Sequence, residues 1–319
     1  MQMIFKIYIL LNIQAFNKFR QNFSKNLWQS IPWSYFQEKL KKQVFLFGDN
    51  EAIAVGIIQK MPFGLNYLEI PRGPIGTTES AFWQELKNTA KQYKCIFIRI
   101  SPAHYVQNMP KIRLKAPVQI HPTDTLILDL TLSESELLKQ MKPKGRYNIR
   151  VAQRHGVEIF ESKNVKKFYE LIKETTHRNN FSAHPLSYYQ NMLESLKDYA
   201  KLYLAKIKDP YQGEIIIAGG IFIFMDNTCT YYYGASSHKY KHCMAPYLLQ
   251  WQVISEAKKQ NFKKYDFLGI APENKKIHPL KGISRFKLQF GGSRVKSPPA
   301  QDIIFNPFLY LLYLLYKIF

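Results

Sequence analysis

The sequence is poor in cysteine, with only Cys95, Cys229 and Cys243 among its 319 residues. Their number is odd and no two of them form a CxxC pair, so a disulfide framework and a zinc site are both disfavoured. We therefore expect all three cysteines to be buried free thiols in a protein of a reducing compartment. The eight histidines show neither HExxH nor HxH spacing, and we therefore assign no metal site.

Acidic residues are also scarce, because 23 Asp and Glu stand against 45 Lys and Arg and give a formal net charge of +22. Such an excess attracts polyanions, which points to nucleic acid, an anionic membrane surface or a phosphorylated substrate. A generally basic proteome would give the same composition. The charge therefore indicates the sign of the partner and says nothing about the fold.

No hydrophobic run reaches the roughly 20 residues that a membrane-spanning helix requires. The N-terminal run 4–13 is interrupted by Lys6 and is followed by no small-residue cleavage site, so it predicts a first β-strand rather than a signal peptide. The C-terminal run 305–319 contains Pro307 and Lys317. It predicts a helix docked on the protein, and a helix lying on a membrane surface is the alternative.

The order of predicted elements repeats along the chain. In each half three strands are followed by a helix and a further strand, with predicted ranges 44–47, 52–59, 65–70, 78–93 and 95–100, and then 201–207, 215–225, 228–234, 245–260 and 265–268. This order predicts an α+β fold of two domains, each a mixed, mostly antiparallel sheet flanked by helices. The predicted first domain is 1–132, completed by the C-terminal segment 298–319, and the second is 133–297.

A basic helix is predicted at the start of the second domain. It begins at Ser133, where Glu136 completes a capping box, and continues through Arg150 to His155. In such a helix Lys142, Arg146 and Arg150 share one face. We interpret these three as contacts to tRNA or to substrate phosphates, and an ordinary solvated basic face is the alternative.

Several unusual stretches follow one another along the chain. They are 28–33 (WQSIPW), 70–75 (IPRGPI), 141–158 (MKPKGRYNIRVAQRHGVE), 232–237 (YYGASS) with 245–251 (APYLLQW), 265–270 (YDFLGI) and 282–292 (GISRFKLQFGG). Each is weak alone. Together and in this order they resemble the Fem family of peptidoglycan bridge-forming aminoacyltransferases, and the resemblance covers nearly the whole chain.

The resemblance implies two tandem GNAT-like acyltransferase domains, in agreement with the repeated order of elements. It implies transfer of glycine, alanine or serine from aminoacyl-tRNA to the stem-peptide amine of UDP-MurNAc-pentapeptide or lipid II. The aminoacyl-tRNA is a co-substrate, and no other cofactor is implied. No charged heptad stretch is present, so the form without a coiled-coil arm is expected. We expect a monomer in the cytoplasm, with possible peripheral contact at the inner face of the membrane.

The resemblance also implies roles for single residues. Lys287 and Phe286 are the expected catalytic residues. Lys287 is similar to the family lysine that faces the reacting carbonyl and stabilises its negative charge, whereas spacing alone would favour a solvated helix lysine. Arg178 is similar to an arginine that grips the diphosphate of the precursor. Relatives pair this arginine with a lysine near the front tryptophan. Here Gln37 takes that position, and Lys39 is the nearest candidate.

Three further residues are candidates for substrate binding. Arg72 lies in the 70–75 stretch, which lacks the lysine and Ser/Thr of a phosphate loop. Tyr231 and Tyr233 are expected on one face of a strand, with Tyr232 on the other. Ser101 stands where some relatives carry an acidic residue, which favours a mechanism in which substrate or water takes the proton.

Two other functions remain open on the sequence. The first is an acyl-CoA-dependent GNAT-type N-acyltransferase acting on a cell-envelope lipid or polysaccharide precursor. The chain lacks the short glycine-rich loop by which such enzymes hold the coenzyme A pyrophosphate. The second is a catalytically silent RNA-binding protein, against which the intact 265–270 and 286–292 stretches argue.

Overall fold

A computed structural model describes residues 8–9, 26–48, 51–110, 113–179, 181–275 and 277–318. Most of the strand predicted at 4–13 lies outside the described residues. The chain divides into two compact units. The first comprises Met1–Thr123 together with Lys296–Phe319, and the second comprises Asp124–Val295.

The first unit contains a sheet of eight described strands and three described α-helices. In chain order its elements are β1 (Tyr8–Ile9), α1 (Ile31–Lys39), β2 (Val44–Gly48), β3 (Ala52–Lys60), β4 (Asn66–Pro71), β5 (Ile75–Gly76), α2 (Ser80–Gln92), β6 (Cys95–Ser101), β7 (Leu114–Lys115), β15 (Gln301–Ile304) and α9 (Pro307–Ile318). The strand order is β1-β2-β3-β4-β6-β15-β7, with β5 beside β3. The pairs β1–β2 and β4–β6 are parallel, and the other pairs are antiparallel.

The core of the first unit lies on both faces of this sheet. Alternate residues of β6 point to opposite sides, as the period of a strand requires. Ile98 packs with Phe82 and Trp83 of α2. Phe97 packs with Tyr310 and Tyr313 of α9. The helix predicted from the C-terminal run is therefore docked on the first unit.

The second unit contains a sheet of seven described strands. Its elements are β8 (Asp124–Asp129), α3 (Glu134–Gln140), α4 (Pro143–Arg154), β9 (Glu158–Ser162), α5 (Val165–Asn179), α6 (Leu186–Ser195), β10 (Ala200–Asp209), β11 (Gly213–Met225), β12 (Thr228–Ser236), α7 (Ala245–Lys259), β13 (Lys264–Gly269), α8 (Lys281–Lys287) and β14 (Ser293–Lys296). The strand order is β14-β8-β13-β12-β11-β10-β9. β11 and β12 form an antiparallel hairpin, with Asp226 of its turn in the left-handed region at φ 53°.

The prediction of a single helix from Ser133 is wrong, because this segment forms two helices. α3 ends at Gln140 and α4 begins at Pro143, with Lys142 extended between them. Proline has no N–H to continue a helix and disfavours helical geometry in the residue before it. The capping box of Ser133 and Glu136 is confirmed.

The predicted α+β fold class, with two sheets flanked by helices, is confirmed. β8 lies before the domain boundary predicted at 132/133. It nevertheless pairs with β13 and so belongs to the second sheet. The domain assignment itself stays a proposal. Cys95, Cys229 and Cys243 are free and buried. Within the described ranges no helix is long and apolar enough to cross a membrane.

Candidate active site

Lys287 is a buried lysine at the end of α8. Only 7% of its surface is exposed, and its Nζ donates to the carbonyl oxygen of Gly269 at 2.8 Å. The ring of Tyr231 lies 5.8 Å from the ammonium. Burial lowers the pKa of Lys287 to about 8, and the nearby Asp266 carboxylate opposes this shift. The alternative of a solvated helix lysine is therefore wrong, whereas the catalytic role of Lys287 stays a prediction.

An irregular end of β13 places the carbonyl that holds this lysine. The pairing register of β13 with β8 shifts between Asp266 and Gly269, and Leu268 has a φ of 55°. A non-glycine residue in this region costs on the order of 1 kcal/mol or more and persists only where its surroundings fix it. The Asp266 carboxylate provides that fixing, because it accepts from the Leu268 amide at 2.7 Å and from the Thr125 hydroxyl.

The helix that carries Lys287 is tied to the chain after β13 by a serine. The Ser284 hydroxyl donates to the carbonyl of Leu280 and accepts from the amide of Ala271, at 2.5 and 2.7 Å. Ser284 is buried. These two bonds fix α8 against the segment that follows Gly269, so the bond from Lys287 to Gly269 closes a rigid loop.

Phe286 lies beside Lys287 but makes a different set of contacts. Its ring packs edge-on against Tyr247, with centroids 5.0 Å apart, and against Phe290 at 5.5 Å. It also lines a cavity of about 160 Å³ together with Ser236 and the first residues of α7. Phe286 therefore forms a wall of this cavity, and its predicted catalytic role is not tested by these contacts.

The predicted alternation of Tyr231, Tyr232 and Tyr233 is wrong. In the register of β12 with β11, Tyr233 pairs with Ile221 and Tyr231 with Phe222, so Tyr232 is an extra residue and forms a β-bulge. Tyr231 consequently packs on Phe222, near Lys287.

Tyr233 belongs to a separate aromatic cluster. Its hydroxyl lies 3.1 Å from that of Tyr188, and its ring packs against Tyr189 and Tyr232. The bulge thus separates two tyrosines that were expected to share one face. Only Tyr231 of the pair lies beside the buried ammonium.

Gly234 makes room for Tyr231, and its replacement is a direct test of this packing. A Cβ at position 234 would overlap the phenol of Tyr231. We expect Gly234→Ala to displace this ring and to lower the free energy of unfolding by about 1–3 kcal/mol. The matched control is Gly282→Ala, because a Cβ at 282 would meet no atom within 4 Å. Equal thermal unfolding of the two variants would contradict the close approach.

Arg178 lies in the last turn of α5, at the end of β12. Its Nη1 donates to the Ser236 carbonyl at 3.3 Å, and the hydroxyl of Thr175 accepts from the Ser236 amide at 3.2 Å. Ser236 also lines the cavity walled by Phe286. The guanidinium is exposed and lies near the cavity rim, where an anionic group of a substrate could reach it.

The three basic residues predicted to share one helical face differ in their surroundings. Lys142 is the N-cap of α4, and Arg150 is exposed within the helix. Arg146 donates to the carbonyl oxygens of Leu138 at 3.2 Å and of Met141, and so caps the end of α3. The phosphate contacts proposed for the three stay predictions, and Arg146 has this structural role in addition.

In the first unit, Arg72 is held in a fixed position. It has a φ of 55°, donates to the carbonyl of Pro122 at 2.7 Å and stacks over Trp28 at 5.6 Å. Trp28 also packs against His121, whose Nε2 lies 3.2 Å from the buried carboxylate of Glu69. Arg72 therefore belongs to a packed polar cluster around the front tryptophan.

Lys42 interacts electrostatically with Glu69 of this cluster, and the predicted role of Lys39 stays a prediction. Lys39 is exposed in the last turn of α1. Burial lowers the pKa of Lys42, and the Glu69 carboxylate opposes the shift. Sequence reasoning missed Lys42 because Glu69 comes from β4, which is distant along the chain. Ser101 is buried at the end of β6, and its hydroxyl has no hydrogen-bond partner among the described residues.

Comparison with known proteins identifies the family. The FemAB family model matches residues 11–114, 111–210 and 207–317. The chain belongs to the FemAB family. A lipid II:glycine glycyltransferase of Staphylococcus haemolyticus is 24% identical, with 85% of each chain covered, and one of Staphylococcus aureus is 22% identical, with 80% of each covered.

Solved structures agree on the fold. FemX superposes with a TM-score of 0.80 at 18% identity, covering 95% of this chain and 98% of FemX. The C-terminal domain of a putative lysylphosphatidylglycerol synthetase from Agrobacterium fabrum superposes with a TM-score of 0.59 at 11% identity, covering 94% and 95%. At these identities the likeness concerns the fold alone.

Proposed function

We propose that this protein transfers an amino acid from aminoacyl-tRNA to the stem-peptide amine of a lipid-linked peptidoglycan precursor, lipid II. Glycine is the first candidate for the amino acid, because the relatives from both staphylococci are named lipid II:glycine glycyltransferase. Alanine and serine are the other candidates. The proposed acceptor is lipid II rather than UDP-MurNAc-pentapeptide for the same reason.

The observation that carries this proposal is the buried ammonium of Lys287. A lysine that is withdrawn from water and fixed by the Gly269 carbonyl keeps its charge at neutral pH, because its pKa of about 8 lies above 7. An ammonium has three N–H donors, and the bond to Gly269 uses one of them. In such a dry site a fixed positive charge stabilises a developing oxyanion far more than it would in water.

The reaction then needs no covalent enzyme intermediate. The acceptor amine attacks the ester carbonyl carbon of the aminoacyl-tRNA, a C–N bond forms, and the carbonyl electron pair moves to oxygen. Lys287 stabilises this oxyanion. When the pair returns, the ester C–O bond breaks, and the tRNA hydroxyl leaves with a proton that originates from the amine. Substrate or water relays that proton.

The remaining predicted residues are assigned to binding. Arg178 is proposed to pair with the acceptor diphosphate, which suits the fork of a guanidinium. Lys142, Arg146 and Arg150 are proposed to contact tRNA phosphates. Tyr231 forms a wall beside Lys287. In the first unit Arg72 is proposed to contact the acceptor, with Lys39 and Lys42 as nearby cations.

A donor assay tests the proposal. Purified protein is incubated with lipid II and with tRNA charged with glycine, alanine or serine, and the product is identified by mass spectrometry. Product from a charged tRNA is expected, and none from the free amino acid. Transfer from an acyl-CoA instead of tRNA would replace the proposal with the GNAT-type alternative. Binding of tRNA without product would indicate an RNA-binding protein.

The pH dependence of transfer is expected to report the loss of the proton from Lys287. The ammonium form is the active one, so kcat/KM, expressed per unprotonated acceptor amine, should be sustained below pH 8 and fall as the pH rises through about 8. Lys287→Arg should move this descending limb to higher pH, because a guanidinium stays charged above pH 12. Spontaneous hydrolysis of the aminoacyl ester is measured without enzyme and subtracted. A limb that stays in place in Lys287→Arg would assign it to another group.

A further inference from the structure

The C-terminal helix α9 has two apolar sides, and the first unit covers only one. Tyr310 and Tyr313 are buried against the sheet. The hydroxyl of Tyr310 donates to the buried Asp302 at 2.8 Å, which fixes the helix in its orientation. The other side carries a stripe with the 3, 4 and 7 spacing of one helical face. Its members, with their exposed fractions, are Phe308 (69%), Leu311 (53%), Leu312 (45%) and Leu315 (45%).

Two neighbouring segments extend this apolar surface. Phe63, at the tip of the turn Pro62–Gly64, is 90% exposed and is held at a φ of 60°. Val118 and Ile120 are also exposed. A cavity of about 180 Å³ shows that these segments adjoin α9, because residues 60–62, Val118, Ile120 and Tyr313 line it together. The exposed apolar side chains therefore lie on segments of the first unit that adjoin one another.

The charges around this surface are of one sign. Segments 52–68, 103–123 and 303–319 contain no Asp or Glu. Lys60 and Lys115 are exposed within them. An apolar surface with a basic surround is complementary to a membrane with anionic headgroups. A second copy of this chain is a poor occupant, because each copy has a net charge of +22 and two such surfaces repel each other.

We propose that the α9 stripe, Phe63 and the Val118–Ile120 rim form a membrane-docking face that inserts into the headgroup and acyl boundary of an anionic lipid leaflet. Lys60 and Lys115 lie at the level of the lipid phosphates. The helix lies along the surface without spanning it, since its 12 residues are too few to cross. This docking face rests on the proposed function, because a lipid-linked acceptor presents its stem peptide at the membrane surface.

Vesicle flotation of the full-length protein tests the docking face. Vesicles of phosphatidylcholine alone are compared with vesicles of equal parts phosphatidylcholine and phosphatidylglycerol. The protein should float with the anionic vesicles, float weakly with the neutral ones, and dissociate from the anionic ones as salt is raised. Leu311→Gln with Leu315→Gln should weaken this binding by about tenfold or more, because two apolar side chains leave the lipid.

Two further variants separate docking from folding. Phe63→Asn should weaken binding without loss of stability, because asparagine tolerates a positive φ better than phenylalanine does. Ile277→Gln is the matched control, since Ile277 is 94% exposed but lies in the second unit, and it should bind like the wild type. Equal thermal unfolding of all variants verifies that Tyr310 and Tyr313 keep α9 in place.

Three outcomes would overturn the docking face. They are absence of flotation by the wild type, wild-type binding by the Leu311/Leu315 variant, and a dimer in sedimentation that the same variant dissociates. Failure of the proposed function has a different signature, namely vesicle binding without transfer from any charged tRNA. If both hold, the Leu311/Leu315 variant should transfer poorly to vesicle-bound lipid II and normally to UDP-MurNAc-pentapeptide, which is water-soluble.

Discussion

Lys287→Met is expected to lower kcat for aminoacyl transfer by roughly 10²–10³-fold while binding of lipid II stays nearly unchanged. The substitution keeps most of the buried stem and removes the ammonium with its charge and its hydrogen bond. Without it, the oxyanion forms in a dry site with no fixed positive group to stabilise it. Binding of the acceptor should persist, because the ammonium acts on charge that develops only in the transition state.

Matched variants separate this effect from a folding defect. Lys281→Met makes the same change at an exposed position of the same helix and should keep full activity. Lys287→Met leaves the Gly269 carbonyl without its donor, which costs about 1–3 kcal/mol, so thermal unfolding is measured alongside kcat. Near-normal turnover in a folded Lys287→Met variant would remove Lys287 from the mechanism.

The central strands of both sheets were predictable because their signals are local. The hairpin of β11 and β12 follows from two β-rich runs around Asp226 and Asn227. The break between α3 and α4 also has a local signal, because Pro143 lies in the middle of the predicted helix.

The surroundings of the candidate site were not predictable in this way. Nothing near Lys287 in the sequence indicates that it is buried, because its cover comes from Gly269 and Tyr231 on two other strands. The bulge at Tyr232 depends on a pairing register with β11, which alternation within β12 cannot reveal. The family resemblance alone indicated Lys287 as the catalytic lysine. The tertiary structure adds the buried, low-dielectric surroundings in which an ammonium can stabilise an oxyanion strongly.

The buried ion pair of the first unit is the extreme case of a non-local contact. Arg99 on β6 and Asp302 on β15 are 203 residues apart. The only sequence signal is a single charge inside each apolar strand, which identifies neither partner. The pair forms two hydrogen bonds, from Nε to Oδ1 at 2.8 Å and from Nη2 to Oδ2 at 2.6 Å. It is enclosed by the rings of Tyr67, Phe97 and Tyr313.

Breaking this pair is expected to be the largest single loss of stability in the first unit. Asp302→Asn keeps the shape of the side chain but leaves the Arg99 guanidinium buried without its counter-charge, since the two side chains are 1% and 0% exposed. We expect a loss of about 3–5 kcal/mol in the free energy of unfolding. Replacement of both partners, by Arg99→Met with Asp302→Leu, should cost much less, because no charge then remains buried.

Fluorescence can assign this loss to the first unit. Trp28, Trp33 and Trp83 lie in the first unit and Trp251 in the second, so a Trp251→Phe background confines the indole signal to the first. In denaturant, Asp302→Asn should shift this signal to lower concentration, and the double variant should recover most of the shift. Glu214→Gln, which breaks an exposed pair with Lys206, should leave it unchanged. If the double variant were as unstable as Asp302→Asn, the loss would come from the Tyr310 and Tyr313 hydroxyls that bond to the pair and hold α9, and not from the unpaired charge.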